Sequence, residues 1–316
     1  MTTQTPAPPR LLPAAVGLLW MAGLTWSARA SITAPADAAA EVSATAYALP
    51  GVVSASLVGG ASVASAVVAL LSRRWPLGPT ARYAAATGTG LLLGLLAAVA
   101  LVTINTEGWL YAVAGGTVAA AATIGGALAG FRSARVLAGV YWAAIAVFVV
   151  GFLLNYLPVL GLFGGGSSAA RTDAAGWFAL TQSGLSGVMA GVVAFLVLRR
   201  DRELRWPAYA LAGGGPGLLL VLAEGLVRTA GARVVDLAGR VSVLEATVQR
   251  VLSGSRLNSA MIVLFVGAIT AIIAFGRTLR PVDEGSVEPS AGDQAAVPEQ
   301  GSESPATAGD RAGRDV

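Results

Sequence analysis

Apolar and polar positions alternate along this chain in long blocks. Runs of about twenty apolar residues are separated by short polar or arginine-bearing stretches, and a run of that length crosses the hydrocarbon of a bilayer as a helix. Eight such runs can be drawn, at about residues 11–27, 49–71, 83–104, 109–131, 136–160, 177–198, 206–227 and 257–275. They predict an all-α, polytopic transmembrane bundle of about eight spans. Residues 1–10, rich in Pro and Thr, read as a disordered N-terminus. The first run fits two readings. It is either a span or a secretory h-region, because Ala28-Arg29-Ala30 resembles an A-x-A cleavage site; the single arginine ahead of it favours an uncleaved helix.

Between the last two runs the period changes. Val234, Leu237, Val241, Leu244, Val248 and Val251 recur every three or four residues, which is one apolar stripe on a helix. Arg233, Asp236, Arg240, Glu245 and Arg250 lie mostly off that stripe. The pattern predicts one amphipathic external helix over 232–252, lying on the membrane surface or the bundle. A short contact with a second subunit is the alternative, with Arg240 and Glu245 at flanking positions of a coiled coil.

Composition agrees with a membrane protein. Of 316 residues, 55% are apolar and 12% charged, about half the charge of a soluble domain. Cysteine and histidine are absent and all 21 basic residues are arginine. Disulfides, thiolate chemistry, a histidine base and a Schiff-base lysine are thereby excluded. The charge divides unequally. The stretch 281–316 has eight acids against two arginines and lacks aromatics, and reads as a disordered acidic cytoplasmic tail. The rest has nine acids against 19 arginines. That excess reflects arginines at span ends, so nucleic acid is not implied as a partner.

Those arginines set the expected orientation. With the N-terminus inside, Arg10, Arg73, Arg74, Arg82, Arg132, Arg135, the cluster from Arg199 to Arg205, Arg277 and Arg280 all face the cytoplasm. Arg29, Arg171 and five arginines between 228 and 256 stay outside. Both termini are then cytoplasmic, in a bacterial cytoplasmic membrane.

Polar residues inside spans are costly and mark candidate sites. Under this topology they gather toward the outer side. Glu224 lies about 10 Å from the centre of the seventh span. Asn155 lies at similar depth in the fifth, with Gln182 and Ser186 in the sixth. Asn105 and Glu107 cap the third span, and Asn258 opens the eighth. They are candidates for one cavity open to the outside, although Glu224 can also be satisfied by Arg228 one turn on. In the seventh span Gly213-Gly214-Gly215-Pro216-Gly217 is a candidate helix break whose freed carbonyls line a site, or a close-packing notch. Gly90/Gly94, Gly126/Gly130 and Gly187/Gly191 are GxxxG faces suited to helix contacts.

Gly184-Leu185-Ser186-Gly187 resembles the GxSG of rhomboid intramembrane proteases. The resemblance implies a nucleophilic Ser186 and a histidine base on a later helix. This chain has no histidine, and only Asn105–Gly108 stands where rhomboids carry a long loop. The resemblance therefore implies an inactive rhomboid-like protein. No cofactor or metal motif is present.

The sequence leads first to a non-enzymatic membrane component that binds other membrane proteins through its GxxxG faces or the 232–252 helix. A permease or channel subunit with a polar cavity around Glu224 and Asn155 is the alternative. The lipid bilayer is the one partner common to both.

Overall fold

The computed structural model describes residues 11–35, 37–105, 108–131, 134–156, 168–200 and 204–278. The expectations for 1–10, for 281–316 and for Glu107 lie outside these residues. Among the described residues the chain is all helix: α1 Leu11–Thr33, α2 Ala38–Arg74, α3 Pro79–Val102, α4 Trp109–Ala129, α5 Ala134–Tyr156, α6 Ser168–Leu198, α7 Trp206–Thr229, α8 Ala232–Val241 and α9 Val243–Gly276. Eight of them, all but α8, are long and apolar enough to cross a membrane. The protein is an integral, multi-pass membrane protein.

Cross-helix bonds fix the up-and-down order. At one end, Arg82 Nη2 of α3 donates to Phe131 O beyond α4 (3.1 Å), and Tyr209 OH of α7 donates to Leu198 O of α6 (3.2 Å). Arg73, Arg74, Arg199, Arg200 and Arg277 follow from helix ends on this side, here called the arginine-rich end. At the opposite end, Arg29 of α1 donates to Ala100 O and Thr103 Oγ1 at the end of α3. There too Tyr111 OH of α4 donates to Glu41 Oε1 of α2, and Tyr47 OH of α2 donates to Glu245 Oε2 of α9.

Three helices outrun the bilayer. At 1.5 Å per residue α2 is about 55 Å long, α9 about 51 Å and α6 about 46 Å, against about 30 Å of hydrocarbon. All three begin at the end opposite the arginines, so their surplus length collects there. α2 is the axis of one core. Its Leu49, Val53 and Leu57 pack with Tyr111 and Val118 of α4, Tyr141 of α5, Val227 of α7 and Val234 of α8. A second core joins α5, α6, α7 and α9 through Ala143, Ala194, Leu198, Tyr209, Ala212 and Ala271. α1 continues through Ala28-Arg29-Ala30 as helix, and it buries Met21, Ala28 and Ile32 in the first core.

The amphipathic stretch differs from its expected form. It is two helices, not one. Ser242 takes an extended conformation (φ −158°, ψ 157°), and its hydroxyl accepts from Glu245 N at 3.0 Å. This is the serine end of an S-x-x-E capping pattern, which starts a new helix. α8 lays Val234 and Ala238 on the bundle, while Val243, Leu244 and Val251 stand exposed at the start of the last long helix. The charges offered for a partner are used within the chain. Arg240 pairs with Asp236 at 2.8 Å, and Glu245 accepts from Tyr47 and Gln249. Ser242→Ala is expected to cost about 1 kcal/mol. It should also speed amide exchange at Glu245; unchanged exchange there would show that the cap does not hold the junction.

Of the two readings of the glycine run in the seventh span, the structure has the close-packing notch and not the helix break. α7 is continuous helix through Gly213, Gly214, Gly215, Pro216 and Gly217. Pro216 has no N–H to offer the carbonyl of Ala212, but the turn is held from outside by packing. A side chain on Gly213 would meet Gly267 O of α9, and one on Gly217 would meet the Leu264 backbone. The glycines let α7 lie against α9 with backbone touching backbone. The GxxxG pairs do the same elsewhere. Gly90 and Gly126 face each other between α3 and α4, and Gly187 and Gly191 receive Val266 and Thr270 of α9. Those faces are taken up inside the chain.

Candidate functional site

Glu224 sits on α7, two turns beyond the glycine run, with 4% of its surface exposed. An isolated carboxylate at that burial would be severely penalised. It is not isolated. Oε1 accepts from Arg228 Nε at 3.0 Å, one helical turn on, and from the Ser253 hydroxyl of α9. Oε2 accepts from Arg256 Nε of α9, also at 3.0 Å. Arg228 closes the cluster by donating through Nη2 to Ser253 O at 2.9 Å. One acid and two arginines leave the cluster with a net charge of +1.

This cluster forms part of the wall of a cavity of about 720 Å³. Trp20 and Leu24 of α1 and Pro50, Gly51 and Ser54 of α2 form one side. Phe148, Gly151 and Phe152 of α5 and Gln182, Ser183 and Ser186 of α6 form the next. Ala223 and Glu224 of α7, with Ser255, Arg256 and Ser259 of α9, complete it. These positions run from the middle of the bundle, at Trp20, toward the end away from the arginines. The half beneath is closed. Ala190, Ala194, Leu198, Ala212 and Ala271 are buried there, and the α7–α9 contact at Gly213 and Gly267 leaves no space between the two helices.

The cavity is divided in character. Trp20 stacks on Phe148 with ring centres 5.5 Å apart and planes 12° apart, and Phe152 meets Trp20 edge-on at 6.2 Å. Opposite, α9 presents Ser255, Arg256 and Ser259 at helical spacing, facing Gln182 and Ser186 of α6. Ser183 returns its hydroxyl to Ala179 O, whereas Ser186 is 4% exposed and bonds to no protein group among the described residues. Apolar lining with a few converging polar groups is the usual make-up of a small-molecule site.

Of the residues singled out from sequence, Glu224, Gln182 and Ser186 meet in this cavity. Asn258 does not. The cavity face of α9 is 255, 256, 259, 260 and 263, and Asn258 points off that stripe and is exposed. Asn105 lines a separate depression with Glu41 and Thr103. The Asn155 side chain and Glu107 lie outside the described residues. Arg256, Ser255, Ser259 and the Trp20–Phe148 pair are site residues that the sequence reading missed. The signal for Arg256 was present: one arginine flanked by serines at i−1 and i+3 on one helical face. A last span drawn from Leu257 places Arg256 just outside it, whereas the helix begins at Val243.

No known protein family, curated protein or solved structure matches the chain. The rhomboid resemblance therefore rests on its four residues alone. Among the described residues Ser186 has no protein hydrogen-bond partner that would serve as a base.

Proposed function

We propose that the protein is a membrane-embedded solute-binding protein of the permease kind, which admits a small solute to the cavity beside Glu224. One observation carries the reading. Polar groups from α6, α7 and α9 and aromatic groups from α1 and α5 converge on a single space of about 720 Å³, closed toward the arginine-rich end. With the arginines on the cytoplasmic side, as their bias favours, the solute enters from outside. A binding or scaffold role toward other membrane proteins has less support, because the GxxxG faces are occupied by this chain's own helices.

The absence of cysteine gives a clean test. Ser259→Cys, on the cavity wall, is expected to react with a membrane-impermeant thiol reagent applied from outside. Ala194→Cys, buried in the closed half, is expected to stay unlabelled. If Ser259→Cys is silent, or is labelled only from inside, the reading is wrong.

A further inference from the structure

We infer that the cavity takes an organic anion, a carboxylate or phosphate joined to an apolar body. This rests on the cavity reading above and adds the chemistry of its occupant. The argument begins with Arg256. Its Nε is spent on Glu224, but both Nη nitrogens have no protein partner among the described residues. Arg256 lines the cavity with its side chain 31% exposed. The end-on fork of a guanidinium matches two oxygens of a carboxylate or phosphate.

Charge points the same way. Both Glu224 oxygens already accept from arginine or serine donors, which offsets the repulsion this wall carboxylate would exert on an anion. The remaining charge of +1 is neutralised by one anionic group. Among the described residues the hydroxyls of Ser186, Ser255 and Ser259, the Gln182 amide and the Trp20 indole N–H also line the cavity without a protein partner, and each has a hydrogen to donate to an anion. Trp20 and Phe148 provide a stacked aromatic wall for the apolar part. Such a molecule reaches the site either from water or as a lipid headgroup, and the chemistry is shared.

The test uses full-length Ser259→Cys protein in phosphatidylcholine vesicles, with N-ethylmaleimide as an uncharged reagent. 2-Naphthoate is expected to slow modification about ten-fold more than its neutral isostere 2-naphthamide, the discrimination one charge-assisted pair provides. Arg256→Gln in that background should abolish the difference. Arg228→Gln, which touches the same carboxylate but does not line the cavity, should reduce the difference without abolishing it. If Arg256→Gln fails to fold, Arg256→Lys, which keeps a cation beside Glu224 but loses the fork, should weaken the difference. Vesicles containing phosphatidylglycerol supply the second arm. Protection there without naphthoate supports the assignment with a lipid headgroup as the source. A reactive cysteine protected by neither anion, or protected equally by the amide, overturns the anion assignment and leaves the cavity standing. An unreactive cysteine overturns both.

Discussion

Alanine in place of Gly213 is expected to lower the unfolding temperature of the purified protein by several degrees. The added methyl would meet Gly267 O and Ala271 Cβ of α9, and neither can yield without moving helix backbone. Overpacking of this kind costs about 1–3 kcal/mol. The same helix supplies its own control. Gly225 has nothing within 4 Å of the corresponding position, so Gly225→Ala should be neutral or slightly stabilising. Intrinsic tryptophan fluorescence during heating measures both. Equal stability of the two variants would mean that α7 and α9 do not approach as described. Gly267→Ala meets the same contact from the other side, so the two alanines together should cost less than the sum of each alone.

Truncating Arg256 has the second large effect. Arg256→Ala leaves a carboxylate that is 4% exposed with one arginine instead of two. Removing one partner of a fully buried pair costs about 3–5 kcal/mol, and the partial exposure of Arg256 reduces this to about 2–3 kcal/mol. Glu224→Gln should cost less, about 1–2 kcal/mol, because both arginines keep access to water and the amide oxygen still accepts. In the double variant Glu224→Gln/Arg256→Ala, the loss should fall short of the sum by about 1 kcal/mol or more. Simple additivity in thermal unfolding would show that the two side chains do not interact.

The bundle was legible because lipid imposes a simple rule: every backbone group must be paired within a helix, so apolar length alone announces a span. The limits of the longer helices were not. α2 begins at Ala38, well before its apolar run, because Asp37 caps it through Ala39 N and Glu41 is anchored by Tyr111. These are tertiary and cap contacts that hydropathy does not contain. Glu224 stood out as an acid in an apolar run. Arg256 did not, since an arginine next to a span boundary looks like any interfacial arginine until its neighbour across the helix pair is known. At Gly213–Gly217 the sequence left a break and a packing notch both open for a related reason. Propensity scales describe a helix alone in water, whereas α7 lies against a second helix that needs the missing side chains to stay missing. At Ser242 two local signals conflicted. The apolar stripe runs straight through it, but S-x-x-E specifies a helix start, and the hydroxyl bond to Glu245 N decided the outcome.

The contact between Gly213 and Gly267 also bears on motion. The two backbones touch there, and Leu264, Ala268 and Ala271 of α9 seat in the notches left by the α7 glycines, so α7 and α9 have little freedom to slide, tilt or part and form a stiff spine carrying the acid and its arginines. α1 and α5, by contrast, meet through aromatic rings, which can shift across one another at small cost. A rearrangement that widens the cavity would therefore shift α1 across α5 before it parts α7 from α9, leaving Glu224 where it is.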